Sequence, residues 1–307
     1  PRPRRDPGAP PARPPAAPES VSHRLAVVAR SAAAMVAAMD FTFLFDPVRQ
    51  LFAIGYRVAD AGLDPGRYDL LASEARLASF VAIAKGDVPV GHWFRLGRAL
   101  APVEHDSALV SWSGSMFEYL MPELVLHAPS GSLLDQSDRL IVRRQITYGA
   151  ERGVPWGVSE SAYSARDLEQ TYQYSNFGVP GLGLRRGLGE DVVIAPYATG
   201  LAAMIDPAAA AQNFRRLAQA GASGAYGFYE ALDYTAERLP EGTRVAVVRT
   251  YMAHHQGMLL VAIANVLCGG AMRRRGPGPP GGRGPRPAPP EGAPRPGAPP
   301  RAPGGGG

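Results

Sequence analysis

Apolar residues recur at the spacing of an α-helix in several separate segments of this 307-residue chain. Short stretches rich in aromatic and polar residues separate these segments, and the runs that could form strands are brief. Strands and helices do not alternate regularly, which argues against a parallel α/β sheet. The pattern predicts a mostly helical fold, an (α/α) toroid whose irregular loops gather at one end and carry short β-hairpins. The predicted helices are 22–39, 68–86, 116–126, 135–152, 195–204, 207–220 and 251–267.

Individual residues refine this prediction. Residues 40–58 place phenylalanines at alternate positions before an Asp-Pro turn, which predicts a β-hairpin. Pro122 should end the first part of its helix, because proline cannot donate a backbone hydrogen bond. Asp206 should cap the helix that follows it. Glu74 is expected inside a helix, and the helix at 22–39 is expected to pack within the helical array.

The two ends of the chain differ in composition from the middle. Residues 1–20 and 276–307 are rich in Pro, Gly, Arg and Ala and contain almost no large apolar side chain. Such segments cannot offset the entropy lost on ordering, so both are predicted to be disordered tails. The remaining segment, 21–275, is long enough to bury a core and is predicted to be one catalytic domain.

Charge and cysteine content exclude several classes of protein. The net charge is +5, from 32 basic and 27 acidic residues, and much of the arginine excess lies in the tails and at 273–275. Nucleic-acid binding is therefore not indicated. The only cysteine, Cys268, supports neither a disulfide framework nor a thiolate metal site. We recognise no signal peptide and no apolar run long enough to span a bilayer, so a cytoplasmic location is expected.

Three familiar types of site are also disfavoured. His254 and His255 are adjacent, so on a helix their side chains should point about 100° apart and cannot share a metal ion. The chain has no HExxH motif or Cys/His cluster, and no GxSxG motif for acyl transfer. The glycines at 181–187 lack the flanking strand and helix of a dinucleotide fingerprint. No metal and no cofactor is predicted.

Aromatic and carboxylate residues between the helices favour a carbohydrate site. Sugars present apolar C–H faces ringed by hydroxyls, so their sites combine aromatic rings with carboxylates and histidines. Glycoside cleavage needs two carboxylates, one to protonate the leaving oxygen and one to act as nucleophile or base. Spacing does not choose among Glu74, Glu118, Glu160 and Glu230, and each could equally be an ordinary hydrogen-bonded glutamate. The candidate substrate-binding residues are Trp93, Trp112, Glu118, Tyr119, Trp156, Tyr174, Tyr226, Tyr229, Glu230, His254 and His255.

A series of motifs carries a family resemblance. In chain order they are DFTFLFDPVRQLFAIGY, YDLLASEARLASFVAIAKGDVPVGHWFRLGR, SWSGSMFEYLMP, VPWGVSESAY, YQYSNFGVPGLGLRRGL, VIAPYATGLA, YGFYEALDYT and YMAHHQGM. Their order and spacing resemble those of the glucoamylase-like domain of cyclic β-1,2-glucan synthases, and the resemblance covers residues 22–275. It implies an (α/α)6 barrel that lies between a glycosyltransferase region and a phosphorylase-like region. Neither region is in this chain, so we expect a fragment in which some barrel helices are missing.

The resemblance also implies an activity. In that family the domain cyclises linear β-1,2-glucan by anomer-retaining transglycosylation, and related endo-β-1,2-glucanases share its architecture. The glutamate of SEAR, Glu74, is then the expected general acid/base, and the glutamate of WGVSES, Glu160, the expected nucleophile. Aromatic residues of the HWF, SWSGSMFEY and YGFYEALDY motifs would line the glucan channel. A membrane would be involved only through the missing regions of a synthase, with this domain on its cytoplasmic face.

Several functions stay open at this point. The chain could transfer glycosyl units within β-1,2-glucan or hydrolyse it, and the balance depends on how water is excluded from the glycosyl-enzyme. It could be a non-catalytic glycan-binding remnant of a synthase, or a hydrolase of another glucan. Retention predicts carboxyl groups about 5–5.5 Å apart, whereas inversion predicts a separation of about 6.5–9.5 Å.

Overall fold

The computed structural model describes residues 20–275, so nearly all of both predicted tails lies outside the described residues. The chain divides into two compact units, Pro1–Asp40 and Phe41–Gly307. The described part of the first unit is the helix α1, Val21–Ala38, whose N-terminus is capped by the Ser20 hydroxyl accepting from the backbone N–H of His23.

None of the residues of helix α1 is buried. Because α1 belongs to a separate compact unit, its packing within the helical array stays a prediction. The segment Val21–Leu44 has a mean hydropathy of 1.5 and is long and apolar enough to cross a membrane, which corrects the expectation that no such run exists. Length and hydropathy do not distinguish a membrane span from an apolar helix of a soluble protein.

The second unit contains six α-helices among the residues described. They are α2 (Arg76–Lys85), α3 (Met116–Leu120), α4 (Leu133–Arg152), α5 (Pro196–Ala202), α6 (Pro207–Gln219) and α7 (Ala253–Leu267). Short 3-10 helices occupy Thr42–Leu44, Val90–Arg95, Pro122–Leu124, Ala236–Arg238 and Arg273–Arg275.

The strands are short and form several small antiparallel sheets. In order they are β1 (Phe45–Asp46), β2 (Leu51–Ala53), β3 (Tyr56–Arg57), β4 (Gly62–Leu63), β5 (Arg67–Tyr68), β6 (Leu100–Val103), β7 (Asp106–Leu109), β8 (Ser161–Arg166), β9 (Tyr172–Ser175), β10 (Val193–Ile194), β11 (Ser223–Gly224), β12 (Gly227–Phe228), β13 (Ala231–Asp233) and β14 (Ala246–Val248). Two sheets have three strands, in the orders β1-β2-β5 and β10-β13-β14. The others are the pairs β3-β4, β6-β7, β8-β9 and β11-β12.

Helix α5 lies at the centre of the helical packing. All of its residues are buried, and it contacts α3, α6 and α7. Small residues allow this approach, since a Cβ atom on Gly200 would lie 2.3 Å from the Leu259 side chain of α7. The helices of residues 41–275 thus form a packed array with short strands, but they do not close into the expected barrel.

Several local predictions are confirmed. Helices α4, α6 and α7 form within the predicted segments, apart from small differences at their ends. Asp206 caps α6 by accepting from the N–H of Ala209, and Pro122 begins a 3-10 helix directly after α3. The hairpin in 40–58 exists as β1-β2, although Thr42–Leu44, expected as strand, is a 3-10 helix.

The prediction that Glu74 lies inside a helix is wrong. Helix α2 begins at Arg76, and Glu74 occupies the turn before it. Strand β5 pairs with β2, which holds the preceding residues extended. The Ser73 hydroxyl then accepts from the N–H of Ala75 and stabilises the turn.

The loop at 176–184 packs against Ser113 so closely that a glycine is required. A Cβ atom on Gly178 would lie 1.7 Å from the carbonyl oxygen of Ser113. We expect Gly178→Ala to lower the free energy of unfolding by about 3 kcal/mol or more, because the backbone must move to relieve the overlap. Urea denaturation measures this, with Gly257→Ala as control. A Cβ at Gly257, on α7, meets nothing within 4 Å, so that change should be neutral or slightly stabilising. Equal stabilities of the two variants would contradict the prediction.

Candidate functional site

Distant parts of the chain meet around one cavity of about 440 Å³. The turn before α2 contributes Glu74, and the residue before β8 is Glu160. Trp112 comes from the segment leading into α3, and Glu118 from the first turn of α3 itself. We call this space the glutamate cavity. Its other lining residues are Ile54, Gly66, Arg67, Tyr68, Asp69, Leu70, Ser73 and Asn176.

Glu74 is half-buried with few polar partners of its own. The Ser73 hydroxyl donates to its Oε2 over 3.2 Å. Arg76, two residues later, fixes the turn by donating to the backbone oxygens of Glu118 and Tyr119 over 3.2 and 2.6 Å. Burial raises the pKa of Glu74, and the negative charges of Glu118 and Glu160 raise it further. The raised pKa favours the protonated form, which is the form that a general acid needs.

Glu118 anchors the segment that carries Trp112. Its carboxylate accepts from the Ser111 hydroxyl at 2.7 Å and from the Ser113 hydroxyl at 2.8 Å. It also forms a capping box with Ser115 at the start of α3. These bonds occupy its oxygens, so Glu118 fixes the cavity wall and adds negative charge beside the other two glutamates.

Glu160 accepts a hydrogen bond from a tyrosine hydroxyl, a partner that Glu74 does not have. Tyr174 donates its phenolic hydroxyl to Glu160 Oε1 over 2.7 Å. Strand pairing explains the contact, since β9 carries Tyr174 opposite Ala162 of β8. Burial raises the pKa of Glu160, while the Tyr174 hydrogen bond and the nearby His255 act in the opposite direction. The two glutamates therefore differ in their surroundings, as an acid and a nucleophile need to.

His255 lies behind Tyr174 and is almost completely buried. Its Nδ1 is 2.7 Å from Oε1 of the buried Glu230, and its Nε2 is 3.4 Å from the Tyr174 hydroxyl. The Tyr197 ring stacks on the imidazole with ring centroids 3.8 Å apart. Tyr197 also donates its hydroxyl to the backbone oxygen of Glu160 over 3.0 Å, which ties this group to the cavity.

His254 is placed differently from the expectation. Its side chain is exposed, and its ring centroid lies 4.0 Å from that of His255, so side-chain rotation brings together two rings expected to point apart. Burial of the ring lowers the pKa of His254, and the neighbouring His255 lowers it further. Within residues 20–275, no group of three His, Cys, Asp or Glu side chains is arranged to hold a metal ion.

Three aromatic residues predicted to bind substrate belong to the core. Trp93, Tyr119 and Trp156 are 0%, 1% and 3% exposed and pack in the main hydrophobic cluster. Tyr119 also uses its hydroxyl to donate to buried backbone oxygens. The structure therefore places all three in the core and outside the cavity lining, so it gives no support to their predicted role. Trp112, by contrast, is 56% exposed at the cavity wall.

Two further predicted residues lie away from the cavity lining. Tyr226 is 85% exposed near the tip of the β11-β12 hairpin. Its ring contacts Tyr251 edge to face, and Tyr229 contacts Tyr251 with ring centroids 5.4 Å apart. They form a separate surface cluster that does not border the glutamate cavity.

Sequence reasoning missed part of the cavity wall. Asp69 adds another carboxylate, and burial raises the pKa of its neighbour Tyr68, with the charge of Glu74 adding to the effect. Both residues lie in the sequence YDLLASEAR, a few positions before the SEAR motif. That closeness to Glu74 was the available sign that they could border the same site. The expected helix over 68–86 does not form at this point: Tyr68 ends β5, Asp69 follows it outside regular structure, and both line the cavity.

The raised pKa of Glu74 predicts a gain in stability when its charge is removed. The unfolded chain ionises this group near its ordinary value of 4.5, before the folded protein does. Its contribution to stability is therefore full below that pH and is lost as the pH rises through the folded value. We expect Glu74→Gln to leave the melting temperature unchanged at pH 4 and to raise it by about 2–4 °C at pH 8. The exposed Glu237→Gln is the control, and a lower melting temperature for Glu74→Gln at pH 8 would refute the expectation.

Sequence comparison places the chain among carbohydrate-active proteins. Residues 67–274 match the Glycoamylase family model. The cyclic β-(1,2)-glucan synthase NdvB of Rhizobium meliloti (strain 1021) is 55% identical over 255 residues, which is 83% of this chain. The chain spans 9% of the length of that synthase.

Two solved structures share the fold. An endo-β-1,2-glucanase from Chitinophaga pinensis, in complex with sophorotriose and glucose, aligns with a TM-score of 0.59 at 15% identity. The alignment covers 80% of this chain and 60% of the glucanase. An endo-β-1,2-glucanase from Talaromyces funiculosus, in complex with sophorose, aligns with a TM-score of 0.58 at 15% identity, covering 76% of this chain and 49% of that one. At these identities the similarity establishes the fold alone.

Proposed function

This chain belongs to the Glycoamylase family, and we propose that it is a carbohydrate-active domain that acts on β-1,2-glucan by retaining transglycosylation or hydrolysis. The observation that carries the proposal is the meeting of Glu74 and Glu160, from distant segments, in one cavity with an exposed tryptophan. A relative that is 55% identical is by name a synthase of this glucan, and the two structural neighbours are by name glucanases of it. We further propose that α2–α7 belong to a fold of the (α/α)6 barrel type.

The surroundings of the two glutamates favour different roles. Glu74 is deprived of solvent beside two carboxylates, which favours its protonated form. Burial raises the pKa of Glu160 as well, but the hydrogen bond from Tyr174 and the nearby His255 act against that rise. This difference in surroundings suits the two carboxyl groups to the separate roles of acid and nucleophile.

The proposed reaction has two displacement steps. Glu160 attacks the anomeric carbon as the glycosidic bond breaks, and Glu74 gives its proton to the leaving oxygen, which yields a covalent glycosyl-enzyme. Glu74, now a base, takes a proton from an incoming hydroxyl that attacks the same carbon and releases Glu160. A sugar hydroxyl gives transfer, and cyclisation when it comes from the same chain, whereas water gives hydrolysis.

The cavity suits a sugar ligand. Its volume lies within the range of small-molecule sites, and Trp112 offers a flat apolar surface for the C–H face of a glucosyl unit. Asp69 and Asn176 add groups that can bond hydroxyls around the rim. We therefore propose β-1,2-glucan or a related oligosaccharide as the partner of this site.

One observation favours a non-catalytic glycan-binding domain as a second candidate. The described helices do not close into a barrel, and the chain spans only part of the glucanases whose fold it shares. An open cavity retains the exposed Trp112 surface but excludes water poorly, and exclusion of water is what protects a glycosyl-enzyme.

Incubation of the chain with linear β-1,2-glucan separates these candidates. Cyclic or redistributed products, identified by mass spectrometry, would establish transfer, and new reducing ends of retained configuration would establish hydrolysis. Binding in calorimetry without any product would favour the binding domain. A parallel panel of β-1,3-, β-1,4- and α-1,4-glucans tests the substrate, and turnover of one of these alone would overturn the assignment of β-1,2-glucan.

A further inference from the structure

We infer that His255 and Glu230 form a buried ion pair that acts through Tyr174 to keep Glu160 ionised and oriented, so that these three are positioning residues for the nucleophile. The inference rests on the proposed function, because it assigns a task to groups behind Glu160. It concerns four side chains in a row: Glu230, His255, Tyr174 and Glu160.

The direction of each hydrogen bond in this row follows from its donors. Tyr174 has one hydroxyl proton, and its 2.7 Å distance from Glu160 Oε1 assigns that proton to the carboxylate. The phenolic oxygen is then free to accept, and His255 Nε2 faces it at 3.4 Å. At the other end of the ring, Nδ1 faces a carboxylate oxygen of Glu230 at 2.7 Å and must donate to it. All contacts are attractive only when both ring nitrogens carry protons, which makes His255 an imidazolium.

Burial of Glu230 supports the same assignment. Its side chain is 1% exposed, and its Oε1 accepts from His255 and from the N–H of Ala162. Its Oε2 has no hydrogen-bond partner in the part of the chain that the structure describes. A carboxylate so far from water requires a nearby cation, because an isolated buried charge is strongly destabilising. His255 is the side chain in contact with it that can carry a positive charge.

The position of His255 is tightly fixed. Its ring lies between Tyr197, stacked at 3.8 Å, and Tyr174, whose centroid is 6.0 Å away at an angle of 28°. The titratable groups that face it are Glu230, Tyr174 of β9, Tyr197 of α5 and its own neighbour His254, with Glu160 beyond Tyr174. The positive charge therefore acts on Glu160 through the Tyr174 hydroxyl, whereas Glu74 is contacted by the Ser73 hydroxyl and forms no ion pair among residues 20–275. This asymmetry would select which glutamate is the nucleophile.

The dependence of kcat/KM on pH tests the inference. In the proposed mechanism the acidic limb reports ionisation of Glu160. His255→Gln, which keeps a polar side chain and removes the charge, should move this limb up by about one pH unit, equivalent to a roughly tenfold loss of kcat/KM on the acidic side. Tyr174→Phe, a partly exposed position where folding is not at risk, should move it in the same direction. Glu230→Gln should act like His255→Gln, and combining the two should add little.

A merely structural role would give a different result. Rates would then fall equally at all pH values with the acidic limb in place, and that outcome would overturn the inference. His105→Gln removes an exposed histidine in the β6-β7 turn and should leave the profile unchanged. Circular dichroism identifies any variant that fails to fold, and Tyr174→Phe then decides the question.

A second measurement does not depend on activity. Imidazole ¹⁵N chemical shifts of the full chain at pH 7 should show His255 protonated on both nitrogens, and Glu230→Gln should remove one proton. A neutral His255 in the unsubstituted protein would refute the inference. If Glu160→Gln and Glu74→Gln were as active as the parent, the proposed function would fail, while the ¹⁵N shifts would still report on the ion pair.

Discussion

Replacing Glu160 by glutamine should abolish turnover of linear β-1,2-glucan and leave binding measurable. Glutamine keeps the size of the side chain and can still bond Tyr174, but its amide is too weak a nucleophile to form the glycosyl-enzyme. Removal of a nucleophile of this kind costs at least about 10³-fold in kcat. Product analysis over long incubations gives the rate, and calorimetry with the same glucan gives the binding constant.

An added nucleophile sharpens this test. In Glu160→Ala the space left by the side chain can admit azide, which would attack the anomeric carbon from the vacated side and give a glycosyl azide of inverted configuration. Glu237→Gln, an exposed change outside the cavity, is the matched control and should keep the parent rate. A Glu160→Gln variant that turns over glucan at the parent rate would remove Glu160 from the mechanism.

The helical part of the fold was predictable where a segment carries its own signals. Helix α6 begins with the Asp206 cap and a proline in its first turn, and helix α4 ends at Gly153 in the left-handed conformation. These are local preferences that the sequence states directly. The start of α2 was not predictable in this way, since the residues around Glu74 favour helix. Pairing of β5 with the distant β2, and bonds from Arg76 to the Glu118 and Tyr119 carbonyls, override that preference.

The site was predictable in its carboxylates and less so in its aromatic residues. The family resemblance named Glu74 and Glu160, and the structure brings both to one cavity, although their roles remain proposals. Trp93 and Trp156 lie in loop motifs just as Trp112 does, yet they are buried. An aromatic residue between helices serves the core or a ligand equally well, and only tertiary packing decides. The Tyr174 contact with Glu160 likewise depends on the register of β8 and β9, which no sequence signal fixed.

Replacing Glu74 by glutamine should slow the natural reaction and spare substrates that need no acid. Loss of a general acid costs about 10²–10⁴-fold in rate, because the departing sugar oxygen is then expelled without a proton. A β-sophoroside of dinitrophenol has a leaving group that is stable as an anion. Its first step should proceed in Glu74→Gln at close to the parent rate, followed by slow release of the glycosyl-enzyme. A burst of dinitrophenol and a matching mass increase on the Glu160 peptide would show this directly.

The same variant separates acid catalysis from simple binding. Azide needs no base to attack, so it should restore turnover of the aryl glycoside and give a product of retained configuration, opposite to that expected from Glu160→Ala. The basic limb of the pH profile, which reports loss of the Glu74 proton, should disappear in Glu74→Gln. Equal losses on the glucan and the activated glycoside, with the basic limb still present, would show that Glu74 binds substrate. Another carboxyl group of the cavity, such as Asp69, would then supply the proton.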